Sequence, residues 1–212
     1  MKQRLAVWVA GLCGVTGLVW AGTIDTDFIQ QPWPKQWVHV YEVGRYQVRW
    51  RQRASKKDGL FAGVRAEVAS SRSAVWGPAN DYADLGRMMP GVTAVKVVDE
   101  GPNRHVIHVD IKVLWKQLHL TFEVEQDPPN AIRFRLANEA LGEFRGVTTL
   151  EELPQDGTAS QPSPKTVVEV STWLKAAHPV PMRLLLYVER RSLLRGMRDF
   201  LRSCEQQRPK AS

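Results

Sequence analysis

Residues 181–205 read PMRLLLYVERRSLLRGMRDFLRSCE, and the way this stretch sorts onto two faces decides the fold. At 3.6 residues per turn Leu193, Met197, Phe200 and Cys204 fall within a narrow arc, and Leu186 and Met182 carry that arc toward the start of the helix. Arg191, Arg195, Arg198 and Arg202 recur at i, i+4, i+7 and i+11 on the opposite side. Pro181 suits a first helical turn, where its missing N–H costs nothing. A long helix with one apolar stripe needs a surface to bury it against. The rest of the chain supplies one, because most of it from Arg45 to Lys175 reads as β-strand. The sequence therefore predicts an α+β fold: a curved antiparallel β-sheet wrapped on a long C-terminal α-helix.

The strands are legible from alternation. Ile107, Val109, Ile111, Val113 and Trp115 share one face of a strand, and His108, Asp110 and Lys112 share the other. Leu118, Leu120, Phe122 and Val124 oppose His119, Thr121, Glu123 and Glu125, while Ile132, Phe134 and Leu136 oppose Arg133 and Arg135. One apolar and one wet face is the pattern of antiparallel pairing. Further strands are expected at Trp37 to Glu42, Arg45 to Arg53, Leu60 to Ala69, Val92 to Glu100, Glu143 to Leu153 and Lys165 to Lys175. Turns fall at Lys56-Lys57-Asp58-Gly59, Gly101-Pro102-Asn103 and Asp127-Pro128-Pro129-Asn130, and Pro154 to Pro164 forms a longer hairpin loop. Between the strands Ser70 or Ser71 can cap a short helix from Arg72, limited by Pro78, and a second short helix runs to Met89.

The chain begins with Lys2 and Arg4 ahead of an uncharged, mostly apolar run from Leu5 to Ala21, and Val19-Trp20-Ala21 fits the small-residue rule for cleavage. Residues 1–21 therefore read as a signal peptide. The rival reading is an inner-membrane anchor over residues 5–22, since a spanning helix needs roughly 20 apolar residues. Either places the body of the protein outside the cytoplasm, periplasmic or secreted. Residues 22–36, with Pro32 and Pro34, read as an extended lead-in, residues 37–205 as a single domain, and residues 206–212 as a disordered tail. Cleavage removes Cys13 and leaves Cys204, so no internal disulfide forms in the mature chain, and Cys204 on the apolar arc is expected to be a buried, inert thiol. The net charge of +7 falls to +5 once Lys2 and Arg4 are gone. With no nucleic-acid motif to accompany it, that charge fits an anionic membrane surface better than a nucleic acid.

Beside these patterns the chain carries a resemblance. Ala74-Val75-Trp76, Asp81-Tyr82, Leu85 and Met89-Pro90-Gly91-Val92 stand in an order similar to the polyketide cyclase/dehydrase and lipid-transport family (SRPBCC), within the START-like helix-grip superfamily. Pro128-Pro129 before Ile132 and Phe134, Gly146 before Leu150, and Pro179 and Pro181 before the final helix extend the resemblance over nearly the whole mature chain. It departs from the family at Pro78, where a continuous helix is usual, and at Thr148, where an aromatic is common. The resemblance implies at least about seven strands gripping the C-terminal helix, two short helices after the first long strand, and an apolar cavity between sheet and helix. Members bind sterols, phospholipids, isoprenoids or polyketides, and some catalyse cyclisation or dehydration.

The expected function is thus an exported, non-enzymatic binder or carrier of an apolar small molecule (lipid, isoprenoid or polyketide-like), with no cofactor. The alternatives are a cyclase or dehydratase acting on a polyketide-like substrate, and a structural envelope protein with a closed core. Trp115, Phe122, Phe134, Phe144, Trp173, Leu193, Met197 and Phe200 are the candidate lining of the cavity, and Arg191, Arg195, Arg198 and Arg202 the candidate membrane-facing stripe. No catalytic residues are assigned. His105, His108 and His119 read as solvated strand histidines rather than metal ligands, Glu123 and Glu125 as a solvated strand face, and Asp81 as a helix cap. The chain carries none of the nucleophile-elbow, phosphate-loop or zinc-protease motifs.

Overall fold

The computed structural model describes residues 23–30, 39–43, 46–89, 91–113, 116–138, 142–154, 164–177 and 181–206. The expected signal peptide and Trp115 lie outside them, and of the expected tail only Gln206 is described, where it ends the last helix and is not disordered. Nine strands form a single antiparallel sheet: β1 (His39–Val43), β2 (Tyr46–Ser55), β3 (Gly59–Val68), β4 (Val92–Glu100), β5 (Arg104–Val113), β6 (Lys116–Asp127), β7 (Ala131–Leu136), β8 (Gly142–Glu152) and β9 (Thr166–Ala176). Their order across the sheet is β1-β2-β3-β9-β8-β7-β6-β5-β4. The chain thus makes one meander, jumps to the far edge through two helices, and meanders back until β9 pairs with β3. Four helices accompany the sheet: α1 (Asp27–Gln30), α2 (Arg72–Asn80), α3 (Tyr82–Met88) and α4 (Met182–Gln206).

Local chemistry fixes the joints. The β2–β3 hairpin closes at Gly59, whose φ of +86° suits glycine and whose Cα faces the Leu174 carbonyl so closely that a Cβ would sit 2.6 Å from that oxygen. The Ser71 hydroxyl caps α2 by accepting from the Ala74 N–H at 3.4 Å. Pro78 is buried inside the last turn of α2, and the helix ends at Asn80. Asp81 then caps α3, its Oδ1 accepting from the Asp84 N–H at 2.8 Å, as the sequence predicts. α3 lies against β4 at Gly86, where a Cβ would come 2.1 Å from Val95 Cγ2, so only glycine permits this approach.

The core lies on the concave face. Val48, Trp50, Ala62, Val64, Val68, Ile107, Val124, Ile132, Leu150 and Val168 from the strands meet Val75 and Ala79 of α2 and Met197, Phe200, Leu201 and Cys204 of α4. The predicted arc of α4 is therefore the packing face, with Leu193 half-buried against the same core and Arg195 and Arg202 about half exposed. Cys204 is 4% exposed, and burial pushes its thiol up to about 12, as expected of an inert cysteine.

The convex face departs from expectation. Far from being an extended lead-in, residues 23–30 fold a helical turn onto it, burying Ile24, Thr26 and Ile29. The Ile24 N–H donates to Glu125 Oε2 at 3.0 Å, and Phe28 stacks edge-on to Phe61 and Trp173, with centroids 6.3 and 5.2 Å apart. A second difference lies on the same face. Glu123 is not solvated but buried at 7% exposure in an ion pair with Arg135. Arg51 and Glu169 pair on the same face.

Candidate ligand groove between sheet and helix

α4 does not cover the sheet evenly. Its fully buried residues all lie in its C-terminal half, where it packs on β2 and β3 and meets α2 and α3. Toward its N-terminal end Leu184, Tyr187 and Val188 are 50–58% exposed. The concave face of β6, β7 and β8 lies beyond the strands that α4 covers, and its side chains close over one another instead. Phe144 packs edge-on to Phe122, with centroids 6.0 Å apart, and lies tilted against Phe134, also at 6.0 Å. None of the three is fully buried, so a half-open apolar wall faces α4 across the sheet.

The floor between that wall and the helix is made of small residues. One cross-strand row runs Ala62, Thr172, Gly146, Phe134, Val124, His105. The Phe134 ring leans onto Gly146, where a Cβ would lie 2.3 Å from its Cζ. Thr148, two residues along the same face, is half-buried and fills less than the aromatic side chain usual in the resembling family would. Above the floor stands Glu189 of α4, whose Oε1 accepts a hydrogen bond from the Thr172 hydroxyl at 2.6 Å. Desolvation by burial raises the Glu189 carboxyl above its ordinary value, with the Thr172 hydrogen bond opposing.

The end of this space beneath α2 and α3 is closed by polar groups. The Gln126 amide donates to Asn80 Oδ1 and to the Tyr82 hydroxyl, and burial pushes the Tyr82 phenol up to about 12. The Tyr82 ring lies 5.6 Å from that of His105, which is 8% exposed. His105 is thus a buried histidine, not a solvated one, because its side of β5 is the core side and the two short helices roof it. His119 instead pairs with Asp110 at 2.6 Å on the other face. Among the described residues no group of three or more His, Cys, Asp or Glu is placed to hold a metal ion.

Of the expected lining, Phe122, Phe134 and Phe144 come together as the wall, and Leu193, Met197 and Phe200 belong to the apolar body of α4. Trp173 does not join them. It alternates with Thr172 and therefore points to the convex face, where its Nε1 donates to the Asp58 carbonyl at 2.7 Å and Phe28 covers it. Trp115 lies outside the described residues. Glu189 is the groove residue that apolar patterning passes over, although it stands one turn before Leu193 and Met197 on the packing arc. A separate cleft of about 170 Å³, lined by Tyr46, Glu67, Val68, Leu201 and Glu205, lies at the other end of α4. It is smaller than the roughly 300 Å³ at which small-molecule sites begin, and it is spanned by the 2.6 Å bond from Tyr46 to Glu205.

The arginines stand where the helical period puts them, on the exposed side of α4, but not as bare cations. Asp199 sits among them, 2.7 Å from Arg198, 3.6 Å from Arg202 and 3.7 Å from Arg195. Its carboxyl is held below the ordinary aspartate range, first by the Arg198 hydrogen bond. Arg191 donates to the Tyr187 hydroxyl at 3.0 Å. No described helix is long and apolar enough to cross a membrane.

Comparison with known proteins follows the same lines. The sequence pattern of the family described as polyketide cyclase / dehydrase and lipid transport matches residues 68–201. No curated protein matches the chain in sequence. Among solved structures, the chain is similar to the Zhui aromatase/cyclase from Streptomyces sp. R1128, with a TM-score of 0.60 at 15% identity over 72% of this chain and 97% of that one. A STAR-related lipid transfer protein from Xanthomonas axonopodis gives a TM-score of 0.60 at 10% identity, covering 79% and 98% of the two chains. A START superfamily protein from Mycobacterium smegmatis gives 0.56 at 14% identity, covering 69% and 97%. At these identities the structural likeness speaks for the helix-grip fold alone.

Proposed function

The chain belongs to the polyketide cyclase / dehydrase and lipid transport family, and from that premise we propose that it is an exported, non-enzymatic binder or carrier of one apolar small molecule. The observation that carries this reading is the phenylalanine wall. Phe122, Phe134 and Phe144 form a continuous apolar surface on the concave face that α4 leaves half-open. A surface of this kind in a monomer is an interaction site more often than a defect of packing. Export rests on the leader read at residues 1–21, and cleavage after Ala21 leaves the packed strap from Ile24 intact.

One experiment tests both parts. Native and denaturing mass spectrometry of protein purified from its own host should give a chain starting at Gly22 with a noncovalent apolar adduct. A chain recovered in the membrane fraction that keeps residues 1–21 overturns cleavage and favours the anchor, and a chain free of adduct that no lipid, isoprenoid or polyketide stabilises against heat overturns binding. The structural reading with a closed core then takes its place. The alternative of a cyclase or dehydratase draws on Glu189, since a carboxyl that burial makes hold its proton more tightly is the kind of group that serves as a general acid. An adduct recovered cyclised or dehydrated after incubation with the protein, and not without it, favours that alternative.

We place the exposed face of α4 against anionic lipid. Leu184, Tyr187 and Val188 precede Arg191, Arg195, Arg198 and Arg202 on the solvent side of α4, so apolar and cationic groups share one exposed surface near the groove. Asp199 cancels one of the four charges. At about 1 kcal/mol per cation the net three give reversible docking and not anchoring. Replacing Arg195 and Arg198 with Gln should weaken binding to phosphatidylglycerol vesicles about thirtyfold at low salt, with the loss fading at high salt, and leave ligand affinity alone. Equal binding of the unaltered protein to anionic and neutral vesicles would sink the idea.

A further inference from the structure

We propose that the convex face of β2 and β3 carries a second surface for anionic lipid, back to back with α4, so that one chain bridges two lipid surfaces. This rests on the docking of α4 proposed above and goes beyond it.

The placement follows from alternation. Val48, Trp50, Val64 and Ala66 are buried on the concave side, where α4 packs on the same two strands. Arg49, Arg51, Arg53 and Arg65 therefore lie on the convex side. The register sets Arg49 directly opposite Arg65, and Arg65 directly opposite Glu169 of β9. Glu169 is engaged elsewhere, because its Oε1 accepts from Arg51. Gly63 allows that contact: Arg51 lies across it, and a Cβ there would come 2.9 Å from Arg51 Nε. Burial holds the Arg51 guanidinium below its ordinary value, while Glu169 supports its charge and Arg65 opposes it.

Arg49 is exposed, Arg65 is half-buried, and neither has an ion pair among the described residues. Arg53 lies over the Phe61 ring, 4.9 Å from its centroid, a contact that leaves its charge in place. Lys56 and Lys57, both exposed, carry the positive charge round the hairpin turn. The acids of this surface are Glu42, Asp58, Glu67 and Glu169, so six cations face four acids. Like charges directly opposite in an antiparallel pair cost stability. A phosphate group held between Arg49 and Arg65 removes that cost, since the guanidinium fork matches phosphate oxygens. The arginines of α4 stand on the other side of the same strands, so one flat membrane cannot touch both sets. A carrier docked through α4 thus presents its convex face to a second surface, which it meets at high effective concentration.

Vesicles of phosphatidylglycerol test this on the full mature chain, with clustering read by dynamic light scattering and binding by co-sedimentation. The unaltered protein should cluster the vesicles at low salt, and high salt should disperse them. Arg49→Gln/Arg65→Gln should lose clustering, its co-sedimentation staying within about threefold of the parent because α4 is untouched. This variant should melt no lower than the parent, since it gives up a like-charge pair and no ion pair. Clustering that persists in it, or that neutral phosphatidylcholine vesicles show equally, overturns the bridge. So does a parent that co-sediments without clustering, and the docking of α4 then stands. If the parent does not co-sediment, the docking of α4 and the bridge fall together. Co-sedimentation abolished by Arg49→Gln/Arg65→Gln and kept by Arg195→Gln/Arg198→Gln makes the convex face the sole lipid contact, which also overturns the bridge. Polyglutamate that binds the parent and not the convex-face variant, with no clustering of vesicles, assigns the patch to an acidic protein instead.

Discussion

Met197→Asp should lower the melting temperature by about 10–15 °C, or prevent folding altogether. Met197 is 4% exposed and sits in the core with Phe200, Leu201 and Cys204, where α4 closes on β2 and β3. Removing the methionine side chain alone costs roughly 2–5 kcal/mol at such a site. An aspartate then brings a charge or a protonated carboxyl with no partner supplied for it, which adds to the loss. The sum is a large share of the roughly 5–15 kcal/mol by which a domain is stable. Met197→Leu should stay within about 1.5 kcal/mol of the parent, because volume and polarity are kept. Arg195→Gln, two residues away on the solvent side of the helix, should change stability by less than about 0.5 kcal/mol. Urea titration of the three variants measures the contrast. An aspartate variant as stable as the other two would mean that α4 does not grip the sheet through this face.

Much of that grip is legible in the sequence, because it depends on periodicities that neighbours reinforce. The arc of Leu193, Met197, Phe200 and Cys204 has one long helix to belong to, and the strict alternation of β5, β6 and β7 shows that the sheet has one apolar face, although α4 covers that face at β2 and β3. Trp173 shows where this logic stops. In β9 the outward residues include Val167 and Trp173; Val167 is buried, and Trp173 is covered by Phe28 of the strap. When both faces of a strand are covered, hydrophobicity no longer says which face is which. The strap itself is short, and a single helical turn has no period to detect. His105 and Glu123 are misread because each is polar in sequence: His105 is covered by Tyr82 of α3, and Glu123 is paired with Arg135 on the neighbouring strand. Asp199 needed no structure. Its spacing of i+4 from Arg195 and i−3 from Arg202 already places it among the arginines.

The groove has a more demanding test at Gly146. Phe134 stands directly opposite it in the β7–β8 pair, and the ring rests where a side chain would be. Glycine is otherwise a poor choice in the middle of a strand, so close approach by another group is the reason for it here. Gly146→Val gives the strand a residue it favours. Yet its Cβ would lie 2.3 Å from Phe134 Cζ and 2.4 Å from Cε2. The ring cannot sink into the sheet, so it lifts away from the floor into the space between the wall and α4. Overpacking of this kind costs about 1–3 kcal/mol of stability. Its effect on binding should be larger, a loss on the order of a hundredfold, since the displaced ring occupies volume the ligand needs. Phe134→Leu in the same chain relieves the clash, so the double variant should recover affinity to within about tenfold and show a favourable coupling of about 1–2 kcal/mol in a double-mutant cycle. The cycle is read by displacement of the neutral dye N-phenyl-1-naphthylamine and by urea titration. If Gly146→Val alone keeps full affinity while its stability drops, the ligand does not sit between the phenylalanine wall and the helix. Binding would then have to be sought elsewhere on the molecule.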